Sequence, residues 1–150
     1  LRAIVAQIVD GLKALAADSA VEVRFAPGEP VIVPGDRDEL LRLAENLIEN
    51  AIKYGAPAPV DVSVAAKDGQ GVLIVRDHGP GIAAEHLPRL TERFYRVDTT
   101  ASRAKGGTGL GLALVKHIVA HHRGRLSIES EPGKGAIFTV SMPLADRTSD

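Results

Sequence analysis

Apolar residues recur at helical spacing through the first seventeen positions (Ile4, Val5, Ile8, Val9, Leu12, Leu15), which predicts one amphipathic helix over about 1–17. Val21-Glu22-Val23-Arg24-Phe25 alternates and predicts a strand, and Val31-Ile32-Val33 predicts a short second one. Asp36-Arg37-Asp38-Glu39 has the form of a capping box, with Asp36 at the N-cap and Glu39 three residues on. The helix it opens should run to about Tyr54 and end at Gly55. Leu40, Leu43, Ala44, Leu47, Ile48 and Ala51 form its apolar face, while Arg42, Asn46, Glu49, Asn50 and Lys53 share the opposite one.

Val60-Asp61-Val62-Ser63-Val64 alternates again, and Lys67-Asp68-Gly69-Gln70-Gly71 has turn composition. Val72-Leu73-Ile74-Val75 is continuously apolar and predicts a central strand. From Gly79 to Thr108 the periodicity fades, and Gly, Pro and charge dominate. So long an irregular stretch inside a compact domain has the character of a functional lid. A third helix is predicted from Leu110 to His122, stopped by Gly124. Arg125–Ser130 and Ala136–Ser141 then form a closing hairpin around Pro132-Gly133-Lys134-Gly135. Three helices and about five strands, with the strands clustered late, predict an α/β (α+β) two-layer sandwich.

Composition narrows the class. The length, 150 residues with 45% hydrophobic positions, fits one domain spanning 1–150. A net charge of -1 gives no electrostatic case for binding nucleic acid or an anionic membrane. The absence of cysteine excludes disulfides and thiolate metal sites. No apolar run approaches the roughly 20 residues of a membrane-spanning helix. Because the chain opens on Leu1, it is expected to be a piece of a longer protein. The five histidines (His78, His86, His117, His121, His122) show no persuasive metal-site spacing, although His117 and His121 stand i, i+4 on one predicted helix.

The candidate chemistry sits in three polar motifs. Asn46-Leu47-Ile48-Glu49-Asn50-Ala51-Ile52-Lys53-Tyr54 holds the only two asparagines of the chain. Taken singly, each is an ordinary solvated helix position. Together they put two amides on one face with Lys53 one turn on. An amide oxygen is a hard ligand for Mg²⁺ that adds no negative charge near a triphosphate, and a lysine can neutralise phosphate. Asp77-His78-Gly79-Pro80-Gly81-Ile82 follows the apolar strand. A carboxylate there can accept from the exocyclic amine of adenine, where guanine has a carbonyl instead, although an Asp after a strand is commonly a turn former. Gly106-Gly107-Thr108-Gly109-Leu110-Gly111-Leu112 runs into a helix, whose free amides make an anion site. It is not a Walker loop, which ends in Gly-Lys-Ser/Thr, and it follows a lid instead of an early strand, unlike a dinucleotide fingerprint.

In this order, with Glu92-Arg93-Phe94-Tyr95-Arg96 between the last two, the motifs resemble the N, G1, F and G2 boxes of bacterial two-component sensor histidine kinases. The resemblance covers about Asp36 to Pro143, and implies the catalytic ATP-binding domain. The fold it implies is a mixed, mostly antiparallel five-stranded sheet under three helices, with a long ATP lid at about 79–108. The cofactors it implies are ATP and Mg²⁺. Asn50 would bind the metal, with Asn46 supporting metal or phosphate. Lys53 would meet phosphate, Tyr54 would stack near adenine, and Arg96 would reach the γ-phosphate. Asp77, Gly79, Gly81 and Ile82 would hold the base; Gly107, Thr108, Gly109, Leu110 and Gly111 would hold phosphates. Two departures stand out: Ala136 where many members have Thr after the last glycine box, and Arg123 where Gly is frequent. ATPase relatives place a Glu four residues before the metal Asn, where this chain has Asn46, which favours a kinase.

The implied partners are a dimerisation and phosphoacceptor domain of the same protein and a response regulator. The isolated domain would be a monomer, the full protein a homodimer, and the domain cytoplasmic in a membrane-anchored chain. The alternatives are a free-standing serine kinase of the anti-sigma-factor type, or a nucleotide-binding pseudokinase module.

Overall fold

A computed structural model describes residues 1–18, 20–55, 58–79, 111–130 and 133–145, without the Tyr54 side chain. Its helices are α1 (Arg2–Gly11), α2 (Lys13–Asp18), α3 (Arg37–Gly55) and α4 (Gly111–His121). Its strands are β1 (Val23–Phe25), β2 (Val60–Lys67), β3 (Gln70–Asp77), β4 (Arg125–Ser130) and β5 (Ala136–Pro143). They form one sheet in the order β1-β2-β3-β5-β4. The β1–β2 pair is parallel and the rest are antiparallel, so the sheet is mixed and mostly antiparallel, as expected.

Alternation in the strands decides which face is covered. Val60, Val62 and Val64 of β2, Leu73 and Val75 of β3, and Ala136, Phe138, Val140 and Met142 of β5 are all buried. Against them lies the apolar stripe of α3: Leu40, Leu43, Ala44, Leu47, Ile48, Ala51 and Ile52. Val115, Ile118 and Val119 of α4 and Ile4 and Val5 of α1 flank it. β3 is central, but Val72 and Ile74 on its other side remain half-buried, because helices cover only one face. Its continuous apolar run therefore marks its place in the sheet order, not burial on both sides.

Three expectations are corrected. The first helix breaks at Leu12, whose φ of -98° and ψ of 6° leave the helical region just after Gly11. The described residues therefore hold four helices, not three. Val31–Val33 is not a strand. Pro30 and Pro34 flank it and remove two ladder donors. It is instead hooked at single points: the Leu1 amino group donates to the Val31 carbonyl, and the Ala145 N–H to the Ile32 carbonyl. The capping box is half-formed. Glu39 N–H donates to Asp36 Oδ1 at 3.1 Å, but the Asp36 N–H goes to His122 Nε2 at 3.0 Å. Glu39, displaced from its usual partner, pairs with His121.

The β2–β3 turn tightens to Asp68-Gly69, both with positive φ (51° and 77°), between paired Lys67 and Gln70. Asp-Gly is a preferred filling for a two-residue hairpin turn of that geometry. Arg123 takes a φ of 58° after α4, where glycine would be unstrained. No described helix is long and apolar enough to cross a membrane.

Leu43 is fully buried at the centre of α3's contact with the sheet. Leu43→Ala should cost about 3 kcal/mol, from lost transfer energy plus a residual cavity. Chemical denaturation should show this as a lower midpoint at unchanged slope.

Candidate functional site

Two close approaches bring separated motifs together. A Cβ on Gly55, the last residue of α3, would lie 2.8 Å from the Asp77 Cβ at the end of β3. A Cβ on Gly111, the first residue of α4, would lie 2.8 Å from the Asn46 Oδ1. The polar face of α3 thus spans the gap between the end of β3 and the start of α4.

Asn46 donates from Nδ2 to the Arg42 carbonyl at 2.8 Å, which turns its oxygen toward the N-terminus of α4. Asn50, one turn on, is half-buried on the same face. Both offer neutral, hard amide oxygens, a donor chemistry that fits Mg²⁺ better than a softer ion. Lys53 Nζ lies 2.7 Å from Glu49 Oε1, an i, i+4 pair in the favourable order. Glu49 was not singled out in the sequence, and a phosphate would have to displace it.

Asp77 is only 7% exposed. Burial raises its carboxyl pKa above the ordinary 3.8, opposed by the backbone N–H groups of Gly79 and Ala136 and by nearby His78. The Gly79 N–H donates to Oδ1 at 3.0 Å. A carboxylate has about four acceptor positions, so two backbone donors leave capacity for a ligand amine. Ala136 therefore reaches this carboxylate through its main chain, which a change from Thr does not alter.

Gly135 fixes the other side. Its φ is 82°, and a Cβ there would lie 2.1 Å from the Asp77 carbonyl oxygen. Ser130 Oγ donates to the Gly135 carbonyl at 2.8 Å and holds the loop down.

A further chain of contacts lies beside Asp77. His78 Nε2 is 2.8 Å from Asp61 Oδ2, and Asp61 takes a forked contact from Arg24 at 2.6 and 3.1 Å. The His78 bond, then Arg24, hold Asp61 below the usual carboxylate range against the opposing effect of burial. His78 carried no assignment from sequence. The contact depends in part on the β1–β2 register, which sets Arg24 opposite Asp61 and is decided only in the folded sheet.

Gly81, Ile82, Phe94, Tyr95, Arg96, Gly107, Thr108, Gly109 and Leu110 lie outside the described residues, as do the Tyr54 side chain and all but the first residue of the lid.

The family described as "Histidine kinase-, DNA gyrase B-, and HSP90-like ATPase" matches residues 35–146. The chain belongs to that ATPase family. The match begins beside the α3 N-cap and includes Asn46, Asn50, Lys53, Asp77 and Gly135, but not Arg24 of β1. The phosphate regulon sensor protein PhoR of Pseudomonas aeruginosa is 44% identical over 139 residues, covering 91% of this chain and 31% of that protein. The sensor-like histidine kinase SenX3 of Mycolicibacterium smegmatis is 42% identical over 142 residues, covering 93% and 37%. The ATPase domain thus spans about a third of these relatives' length. Full-length ShkA in complex with AMPPNP superposes with a TM-score of 0.84 at 28% identity, over 96% of this chain and 30% of that one. The mycobacterial sensor histidine kinase MprB gives 0.76 at 28% identity, over 94% and 92%. The resemblance to the catalytic ATP-binding domain of bacterial two-component sensor histidine kinases is borne out.

Gly133 and Gly135 share a φ of 82°, but only Gly135 faces a close neighbour. Gly133→Ala should cost about 1 kcal/mol, the strain of a left-handed residue. Gly135→Ala should cost about 2 kcal/mol or more and weaken nucleotide binding, because it also pushes on Asp77. Parallel melts and nucleotide titrations of the two variants check the contrast.

Asp77 also fixes a pH dependence. An acid whose pKa rises on folding binds more protons when folded, between its ordinary and raised values. Stability therefore falls as pH rises through that window and recovers as pH falls. The melting-temperature difference between wild type and Asp77→Asn should shift in favour of wild type as pH drops from about 7 toward about 4.

Proposed function

We propose that this domain binds Mg-ATP and donates the γ-phosphoryl group to a histidine on a separate dimerisation domain, in two-component signalling. The observation that supports this best is the buried Asp77 carboxylate at the end of β3, set against Gly55 at the end of α3, whose polar face also meets the start of α4 at Asn46. Family membership and kinship with named sensor histidine kinases support the reaction class.

In this reading Asp77 accepts from the adenine amine, and Gly55 and Gly135 hold it against the base edge. Gly79, Gly81 and Ile82 line the base pocket, and Tyr54 stacks on the ring. Asn50 ligates the metal, and Asn46, its oxygen turned toward α4, supports metal or phosphate. Bound Mg²⁺ would neutralise charge on the β- and γ-phosphates. Lys53 leaves Glu49 for phosphate, and Arg96 reaches the γ-phosphoryl group from the lid at about 79–108. Residues 107–111 present amides and the α4 N-terminus to the phosphates. The bond from the γ-phosphorus to the bridging oxygen of ADP breaks as one to an imidazole nitrogen forms. The imidazole proton leaves to solvent or a neighbouring base.

The work of this domain is positioning and electrostatic, since the nucleophile belongs to another domain. The whole chain, 1–150, acts as one catalytic unit. Its partners are the phosphoacceptor domain of the same homodimeric protein and a response regulator. The domain sits on the cytoplasmic side of a membrane-anchored sensor.

Calorimetric titration should show ATP and ADP binding with GTP much weaker. Asp77→Asn should cost about 2–4 kcal/mol of ATP affinity, a charged hydrogen bond lost and an amine left unpaired. Equal ATP and GTP affinity would remove Asp77 from the base site.

Asn50→Ala should weaken Mg-ATP binding while leaving the melting temperature of the nucleotide-free domain nearly unchanged. If the variant unfolds instead, that helix face is structural.

A further inference from the structure

The first turn of α3 and the last turn of α4 meet far from the nucleotide site; about 24 Å of helical rise separates Glu39 from Gly55. There, His121 Nδ1 lies 2.5 Å from Glu39 Oε1 and 3.3 Å from Oε2, so one carboxylate straddles one ring nitrogen. Ligand-type atoms of Glu39, His121 and His122 all lie within 4.8 Å of one another. One turn back on α4, the exposed ring of His117 stacks on His121, with centroids 6.4 Å apart and planes at 24°.

His122 differs from its neighbours. It is buried, its Nε2 accepts the Asp36 N–H at 3.0 Å, and its Nδ1 faces the Ile118 carbonyl at 2.8 Å. That pair of partners puts the proton on Nδ1 and commits the lone pair of Nε2. His122 therefore has no lone pair to offer. It ties the end of α4 to the N-cap of α3, and so sets His121 opposite Glu39.

We propose that His121, Glu39 and His117 form a site for a borderline transition-metal ion, with Zn²⁺ as the fitting occupant and His122 as a positioning residue. Two imidazoles and one carboxylate form a donor set suited to zinc, with a fourth place left for water. It does not suit Mg²⁺, which favours oxygen ligands alone. Histidines at i and i+4 lie on one helix face and can converge on one ion by side-chain rotation. Asp38 and Glu39 in the first turn of α3, Asp36 at its N-cap and the carbonyl end of α4 put negative charge there, which offsets the positive N-terminal end of the α3 dipole. An ion there staples the N-terminus of α3 to the C-terminus of α4.

The test is calorimetric titration of the nucleotide-free domain with ZnCl₂ near neutral pH, paired with thermal melts. One ion should bind per chain. At a hundredfold excess over Kd the melting temperature should rise by about 5–10 °C, and MgCl₂ should leave it unchanged. His121→Ala, Glu39→Gln and His117→Ala should each weaken zinc binding at least tenfold while retaining ATP binding. Asn50→Ala should leave zinc binding intact, which separates this site from the nucleotide site. No zinc binding by wild type, or unchanged affinity in any one of the three ligand variants, overturns the proposal.

Discussion

Keeping the Asp77 carboxylate out of water is the constraint around which the described site is arranged. An acid at the end of a buried strand is costly to ionise, as its raised pKa records. Several features act on that cost together. Gly79 and Ala136 supply backbone donors. Gly55 and Gly135 lack side chains where any Cβ would collide with Asp77. His78, anchored through Asp61 to Arg24, adds charge nearby when protonated. The carboxylate is partly but not fully satisfied, a state suited to a ligand that brings a donor of its own.

α3 links this constraint to the rest of the fold. Its period of 3.6 residues gives it two uses at once. One stripe seals β2, β3 and α4, and the opposite stripe carries Asn46, Asn50 and Lys53. Because the buried stripe has little freedom, the polar stripe is held at a fixed height above the end of β3. The same helix carries Glu39 at its other end, where His122 replaces half of a capping box and frees the glutamate for His121. One rigid rod thus connects the junction with the end of α4 to the approach of Gly55 on Asp77.

Much of this was legible in the residue pattern. The stripe of α3, the alternation of β2 and β5, the central place of β3 and the Asp68-Gly69 turn all follow from local periodicity and turn chemistry, which depend on neighbours in sequence. The sensor-kinase resemblance was legible too, because rare residues gather in motifs whose order is unusual. Errors arose where a local pattern met a tertiary demand. Val31–Val33 is β-branched throughout like a strand, yet the flanking prolines and single hooks at Val31 and Ile32 leave it without a ladder. Asp36 and Glu39 match a capping box, yet a histidine 86 residues from Asp36 takes one of its bonds.

By itself the sequence determined most of the element types, the apolar faces and the set of polar residues available for chemistry, since these rest on periodicity and composition. Only the tertiary structure decided which of those residues meet. That Gly55 and Gly135 guard Asp77, that Gly111 abuts Asn46, that His78 reaches Arg24 through Asp61, and that two helix ends bring Glu39 to His121 are all long-range facts. Each depends on how the helices lie across one face of the sheet and on the register of its strands, and side-chain identity along the chain carries no direct record of either.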